Sequence, residues 1–174
     1  MESKSRSLFK WFWAWQDHKE EEWLRSMAQQ GWHLETLAAP AFYTFTHGEP
    51  RNDVYRLDFI TSRKDFQAYL QLFQDLGWEH VGTMSGWQYF RKTCSAEEIP
   101  EIYTDVESKI EKNRRLSGYL ILFLPIWIAV MSSNIGGPQP PLRIALMLIF
   151  AAMMLLWAFS LVRIGMRIKE LRRI

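Results

Sequence analysis

Hydrophobic and polar positions alternate or recur over roughly the first ninety residues, and long uncharged runs take over after Leu116. Phe9, Trp11 and Trp13 alternate with other residues, as do Tyr55, Leu57 and Phe59, which is the period of a half-buried strand. Trp23, Leu24 and Met27 keep the i, i+1, i+4 spacing of one helical face, and Tyr69, Leu70 and Phe73 repeat it. Each helical stretch ends in the same junction, Gly31-Trp32 and then Gly77-Trp78. A glycine just past a helix adopts the left-handed C′ conformation at no steric cost. The Trp that follows is then placed to fold back on the last apolar turn. Phe42 and Phe45, and later Trp87 and Phe90, mark a further strand in each half.

The two halves, about 7–47 and 53–92, therefore both read strand, helix, strand, strand, and the pattern predicts a duplicated β-α-β-β unit. Asp17 with Glu20 has the spacing of a capping box at the first helix, and Ser62 with Asp65 resembles one at the second. Glu20, Glu21 and Glu22 favour the positive end of the helix dipole and read as a solvated helix start. "LAAPA" and "TMSG" supply the turns between paired strands. The expected fold is α+β, of ferredoxin-like character: one mostly antiparallel sheet with both helices on a single face, filling residues 1–95. Residues 96–116 read as an amphipathic connecting helix, with Ile99, Tyr103, Val106 and Ile110 as its apolar stripe. That stripe suits packing on the domain, on the membrane or on a second protomer of a homo-oligomer.

The C-terminal third reads as membrane. Residues 117–133 and 142–162 form two apolar runs of spanning length, with Arg143 at the edge of the second. Pro125 inside the first is tolerable where neighbouring helices satisfy the freed backbone groups. The Gly- and Pro-rich loop 134–141 forces a hairpin, and residues 163–174 form a basic tail. Basic residues before the first run and after the second place both termini in the cytoplasm of a two-pass protein. Arg114, Arg115, Arg163 and Arg167 are the expected lipid-headgroup contacts.

Composition changes this picture little. A formal net charge of +2 argues against a nucleic-acid partner held by bulk charge. The single Cys94 excludes an internal disulfide, and a bystander thiol is the expected role. Nine Trp in 174 residues are expected to build a small core rather than a binding cage. No catalytic residue, cofactor or metal site is expected. His18, His33, His47 and His80 make no metal-ligand spacing, and GxSxG, Walker-type and GxGxxG signatures are absent. His33 and His80, each just past a Gly-Trp, are the one pair the fold can bring together. Arg56 and Asp58 share a face of the strand "VYRLDFI" and are the candidate ligand or partner face, against a reading as a solvated ion pair.

"KWFWAWQDHKEEEWLRSMAQQGWHLETL", "FYTFTHGEPRNDVYRLDF" and "YLQLFQDLGWEHVGTMSGWQYFRK" together resemble the bacterial domain-of-unknown-function family 2812 over about residues 7–92. The resemblance implies a cytosolic domain followed by membrane spans. It also implies genes beside PadR-type regulators and a role in a regulated membrane or envelope response, but no reaction. The resulting expectation is a non-enzymatic membrane protein whose cytosolic domain binds a small ligand or a partner protein. The alternatives are an accessory subunit of a transporter or antimicrobial-resistance system recognised through its hairpin, and an enzyme acting on lipid or a small metabolite.

Overall fold

The computed structural model describes residues 4–60, 64–95, 99–102, 106–133 and 141–173. The chain divides into two compact units, Met1–Asp105 and Val106–Ile174. The division falls inside the segment read as a connector.

The first unit runs β1 (Ser5–Phe9), α1 (Asp17–Gln29), β2 (Trp32–Ala38), β3 (Phe42–His47), β4 (Asp53–Phe59), α2 (Phe66–Asp75), β5 (Glu79–Met84) and β6 (Trp87–Thr93). It is α+β and antiparallel, but the expected single sheet is two. One three-stranded sheet has the order β1-β3-β2, the other β4-β6-β5. The physical reason lies at the strand edges. β4 pairs with β6 on one side, while on the other the Glu21 carboxylate of α1 accepts from Leu57 N at 2.8 Å. Between β2 and the second sheet, side chains do what a strand ladder would do: Leu34 N donates to the Tyr55 hydroxyl, and Arg91 donates to Leu34 O.

The helices also part company, contrary to the expectation of a shared face. Leu24, Met27 and Ala28 of α1 share one core with Leu34, Tyr43 and Phe45 of the first sheet and Tyr55, Leu57 and Tyr89 of the second. Phe73 of α2 packs instead with Val54, Phe90, Trp78 and Ile102. Val54 and Tyr55 are neighbours on β4, so these two cores lie on opposite faces of that strand.

Both helix ends are built alike. Gln30 N and Gly31 N donate to Met27 O and Ala28 O; Leu76 N and Gly77 N donate to Phe73 O and Gln74 O. Gly31 has φ +82° and Gly77 φ +79°, the left-handed C′ conformation expected of them. The register of the strands after them shifts between Leu34 and Thr36, and again between His80 and Gly82.

The helix starts depart from expectation. α1 begins at Asp17 with Gln16 at the N-cap and no side-chain cap bond. Glu20 is turned inward, because it shares the buried stripe of α1 with Asp17, Leu24 and Met27. α2 follows Asp65, which is itself left-handed and makes no side-chain cap bond; Ser62 lies outside the described residues. β1 ends at Phe9, so Trp11 and Trp13 are not strand residues.

The second unit holds α3 (Val106–Leu122), α4 (Leu124–Ser133) and α5 (Pro141–Leu171). The first apolar run is not one helix. Pro125 lacks the N–H that would continue the ladder and its ring crowds the preceding turn, so the helix breaks at Phe123. At the break Leu120 O accepts from Phe123 N at 3.2 Å and from the α5 indole Trp157 Nε1 at 3.1 Å. Seven residues further along, Trp127 stacks edge-on against Phe150 at 5.4 Å. Among the described residues one helical stretch, Ile144–Leu171, is long and apolar enough to cross a membrane, and only 6% of its most apolar window is buried. Most of the connecting loop and Tyr103 of the expected stripe lie outside the described residues.

Candidate functional site

Polar side chains inside the first unit gather into a few closed networks. At the centre, Tyr43 of β3 and Tyr89 of β6 both donate to Glu20 Oε1, each at 2.6 Å. β3 and β6 are the middle strands of their sheets, so one carboxyl group joins both sheets to α1. All three side chains are buried. Burial pushes the Glu20 carboxyl above its ordinary range; the two tyrosine hydrogen bonds oppose this and the nearby Asp17 adds to it. Burial, reinforced by Glu20, likewise drives both tyrosine hydroxyls well above theirs, which keeps them donors.

A second network surrounds Asp53, which is fully buried. Thr93 donates to its Oδ1 at 2.7 Å, Arg51 lies 3.1 Å from Oδ2, and His33 Nδ1 lies 3.2 Å from the same oxygen. The other ring nitrogen of His33 meets Glu49 O at 2.8 Å. His80 belongs elsewhere: its Nε2 meets Gln88 Oε1 at 3.0 Å. His33 and His80 thus share no partner. Among the described residues no group of three or more His, Cys, Asp or Glu is arranged to hold a metal.

Arg56 and Asp58, the sequence-derived ligand face, are already engaged. Arg56 lies between Glu21 at 3.3 Å and Glu101 at 3.1 Å, and also donates to Tyr55 O. Asp58 is fully buried, accepting from Phe59 N and from the Tyr69 hydroxyl, each at 2.8 Å. The face of β4 that alternation gives to Arg56 and Asp58 is covered by α2, whose Tyr69 donates to Asp58 and whose Phe73 packs with Val54 of the same face. The Gly-Trp pairs hold structural positions. Trp78 is buried beside Phe73, while Trp32 packs on the edge of the α1 core with His47 against it. Arg114 is exposed beside Glu111, Arg115 is half-buried, Arg163 lies over the Phe159 ring, and Arg167 is half-buried. Cys94 is half-buried against the α2 core.

Sequence reasoning missed two features. One is the Glu20 clamp; the three-four-three spacing of Asp17, Glu20, Leu24 and Met27 was its signal. The other is a set of aromatic rings at the surface rather than in the core. Phe9, Trp11, Trp13 and Phe42 are 59%, 52%, 38% and 43% exposed. Phe9 meets Phe42 at 5.1 Å, and Trp13 stacks on Trp15 at 5.5 Å and meets Trp11 at 5.7 Å.

No match was found among curated proteins or solved structures. Residues 16–124 match a family model described as "Protein of unknown function", a stretch that runs from just before α1 to the start of α4. This is more than half of the 174 residues, and the chain belongs to that family, DUF2812.

Proposed function

We propose that this protein is a membrane-anchored, non-enzymatic recognition module. Its first unit binds a small ligand or a partner protein in the cytoplasm, within a regulated membrane or envelope response. The observation that carries the anchor is α5: a 31-residue helix, about 46 Å long at 1.5 Å per residue, most of whose large apolar side chains from Ile144 to Val162 are left exposed. A bilayer core is about 30 Å thick and is the solvent such a surface fits. We read α4 and the end of α3 as the partner limb of a two-pass hairpin with both termini cytoplasmic. The order of contacts supports this, since Leu120 meets Trp157 and the later Trp127 meets the earlier Phe150. The broken first limb fits a membrane setting, where neighbouring side chains re-satisfy the backbone freed by proline.

The first unit reads as two copies of one β-α-β-β element. Equal strand orders, equal helix ends and register shifts forty-six residues apart support that reading. A recognition role is favoured over catalysis because the acid–base groups of the first unit are committed to holding its layers. Both nitrogens of His33 face acceptors, and Glu20 is closed in by two tyrosines.

The test is photo-crosslinking of the full chain in living cells, with the reactive group placed at several exposed positions of the first unit. The proposal expects a specific adduct at one cluster of positions, with the protein in the membrane fraction. A protein that stays in the membrane yet gives no specific adduct from any position loses the recognition role; one found only in the soluble fraction loses the anchor.

A further inference from the structure

We propose that the segment Lys4–Trp15, with Phe42 beside it, docks into the headgroup layer of an anionic lipid surface. The inference rests on the reading that α5 lies in a bilayer, and it goes beyond that reading by giving the soluble unit its own lipid contact. Three observations support it. First, the exposed rings are of the type that prefers a membrane–water interface: Trp11 and Trp13 join an apolar body to a polar N–H, and Phe9 with Phe42 adds purely apolar surface. Second, the charge along the segment has one sign. Lys4, Arg6 and Lys10 are exposed, and no acidic residue occurs from Lys4 to Gln16. Third, two of these cations are flanked by rings. Lys10 Nζ sits 4.4 Å from the Trp23 ring centroid, and the Arg6 guanidinium 5.9 Å from that of Trp32. Among the described residues, no ion pair engages Lys4, Arg6 or Lys10.

Across the edge strand β1, Arg6 and Lys10 on its core side and Phe9 on its outer side, with Trp11 and Trp13 beyond its end, match an anionic headgroup layer in both charge and polarity gradient. In a chain that is itself anchored, such a surface stays within reach, so weak contacts suffice. Docking here would fix the orientation of the soluble unit on the membrane.

The experiment uses the full chain reconstituted at one copy per nanodisc. Trypsin cleavage after Lys10, followed by mass spectrometry, is compared in phosphatidylglycerol discs, phosphatidylcholine discs and detergent. The proposal expects cleavage on the order of a hundredfold slower in phosphatidylglycerol than in phosphatidylcholine, given three cations near the surface. Trp11→Ser with Trp13→Ser should restore the detergent rate. A second variant, Lys4→Gln with Arg6→Gln and Lys10→Arg, keeps the rings and the cleavage site and should lose most of the preference for the anionic disc. Several outcomes overturn the proposal: equal cleavage in both discs and detergent, protection that persists in the Trp variant, or protection that appears only at two copies per disc or on adding another protein. In each of these the chain still co-elutes with the disc, so the anchor stands. A chain that fails to co-elute with any disc overturns the anchor itself, and the docking with it.

Discussion

Alanine at Gly31 and at Gly77 should not cost the same, although the two glycines end their helices in the same way. Both have φ near +80°, where an alanine costs about 1–2 kcal/mol in backbone strain. At Gly77 that is nearly the whole cost, because the new Cβ would meet the flexible Lys92 arm at an ordinary 3.5 Å. At Gly31 it would lie 2.5 Å from the carbonyl oxygen of Gly48, a separation real Cβ atoms essentially never show. That carbonyl belongs to backbone fixed by the Gly48 N bond to Gly31 O at 2.8 Å. Relieving the clash adds an overpacking cost of about 1–3 kcal/mol. Gly31→Ala is thus expected to lose about 2–5 kcal/mol and Gly77→Ala about 1–2 kcal/mol. The assay is denaturant unfolding of the full chain in detergent, followed by Trp fluorescence and compared at equal m-values. Equal losses, or a larger loss at Gly77, would refute the close-approach argument. No loss at either would refute the helix-end assignment.

Other expectations follow from the same geometry. Glu20→Ala leaves two buried tyrosine hydroxyls without their acceptor and should cost about 2–6 kcal/mol, whereas Glu20→Gln keeps an acceptor oxygen and should cost far less. Because the folded Glu20 carboxyl titrates above its ordinary 4.5, its contribution is fully present below that pH and is lost as pH rises through the raised value. Wild type should therefore lose stability relative to Glu20→Gln on going from pH 4.5 upward, and a pH-independent difference would contradict this. Trp157→Phe removes the indole donor to Leu120 O and should cost about 0.5–1.5 kcal/mol in detergent melting. Pro125→Ala lets α3 run on into α4, so that Leu124 N can reach Leu120 O in place of the indole, and should shrink that loss; simple additivity would show the two features to be unrelated.

Local structure was legible in the chain wherever one residue type has one physical use. Gly31 and Gly77 announced the helix ends, and the Tyr55–Leu57–Phe59 alternation announced β4. The uncharged run after Arg143 announced α5. What lay beyond reach was set by tertiary partners. Whether β4 joins the first sheet depends on what meets its free edge, and the Glu21 carboxylate does so. Strand alternation put Arg56 and Asp58 on one face, but nothing local says that α2 covers it. The acidic helix start read as solvated because charge outweighed spacing, yet Glu20 and Leu24 share a face. Trp11 and Trp13 read as core because large rings normally are, while the strand that would have buried them stops at Phe9.

The central claim is that the apolar second unit threads a membrane twice. In a Cys94→Ser background, single cysteines at Ser5, Gly136 and Arg172 can be probed in intact cells with a membrane-impermeant maleimide. The account predicts labelling at Gly136→Cys in intact cells, and at Ser5→Cys and Arg172→Cys only after the membrane is opened. Labelling of Arg172→Cys from outside, with Ser5→Cys protected, would mean that α5 crosses alone and would contradict it.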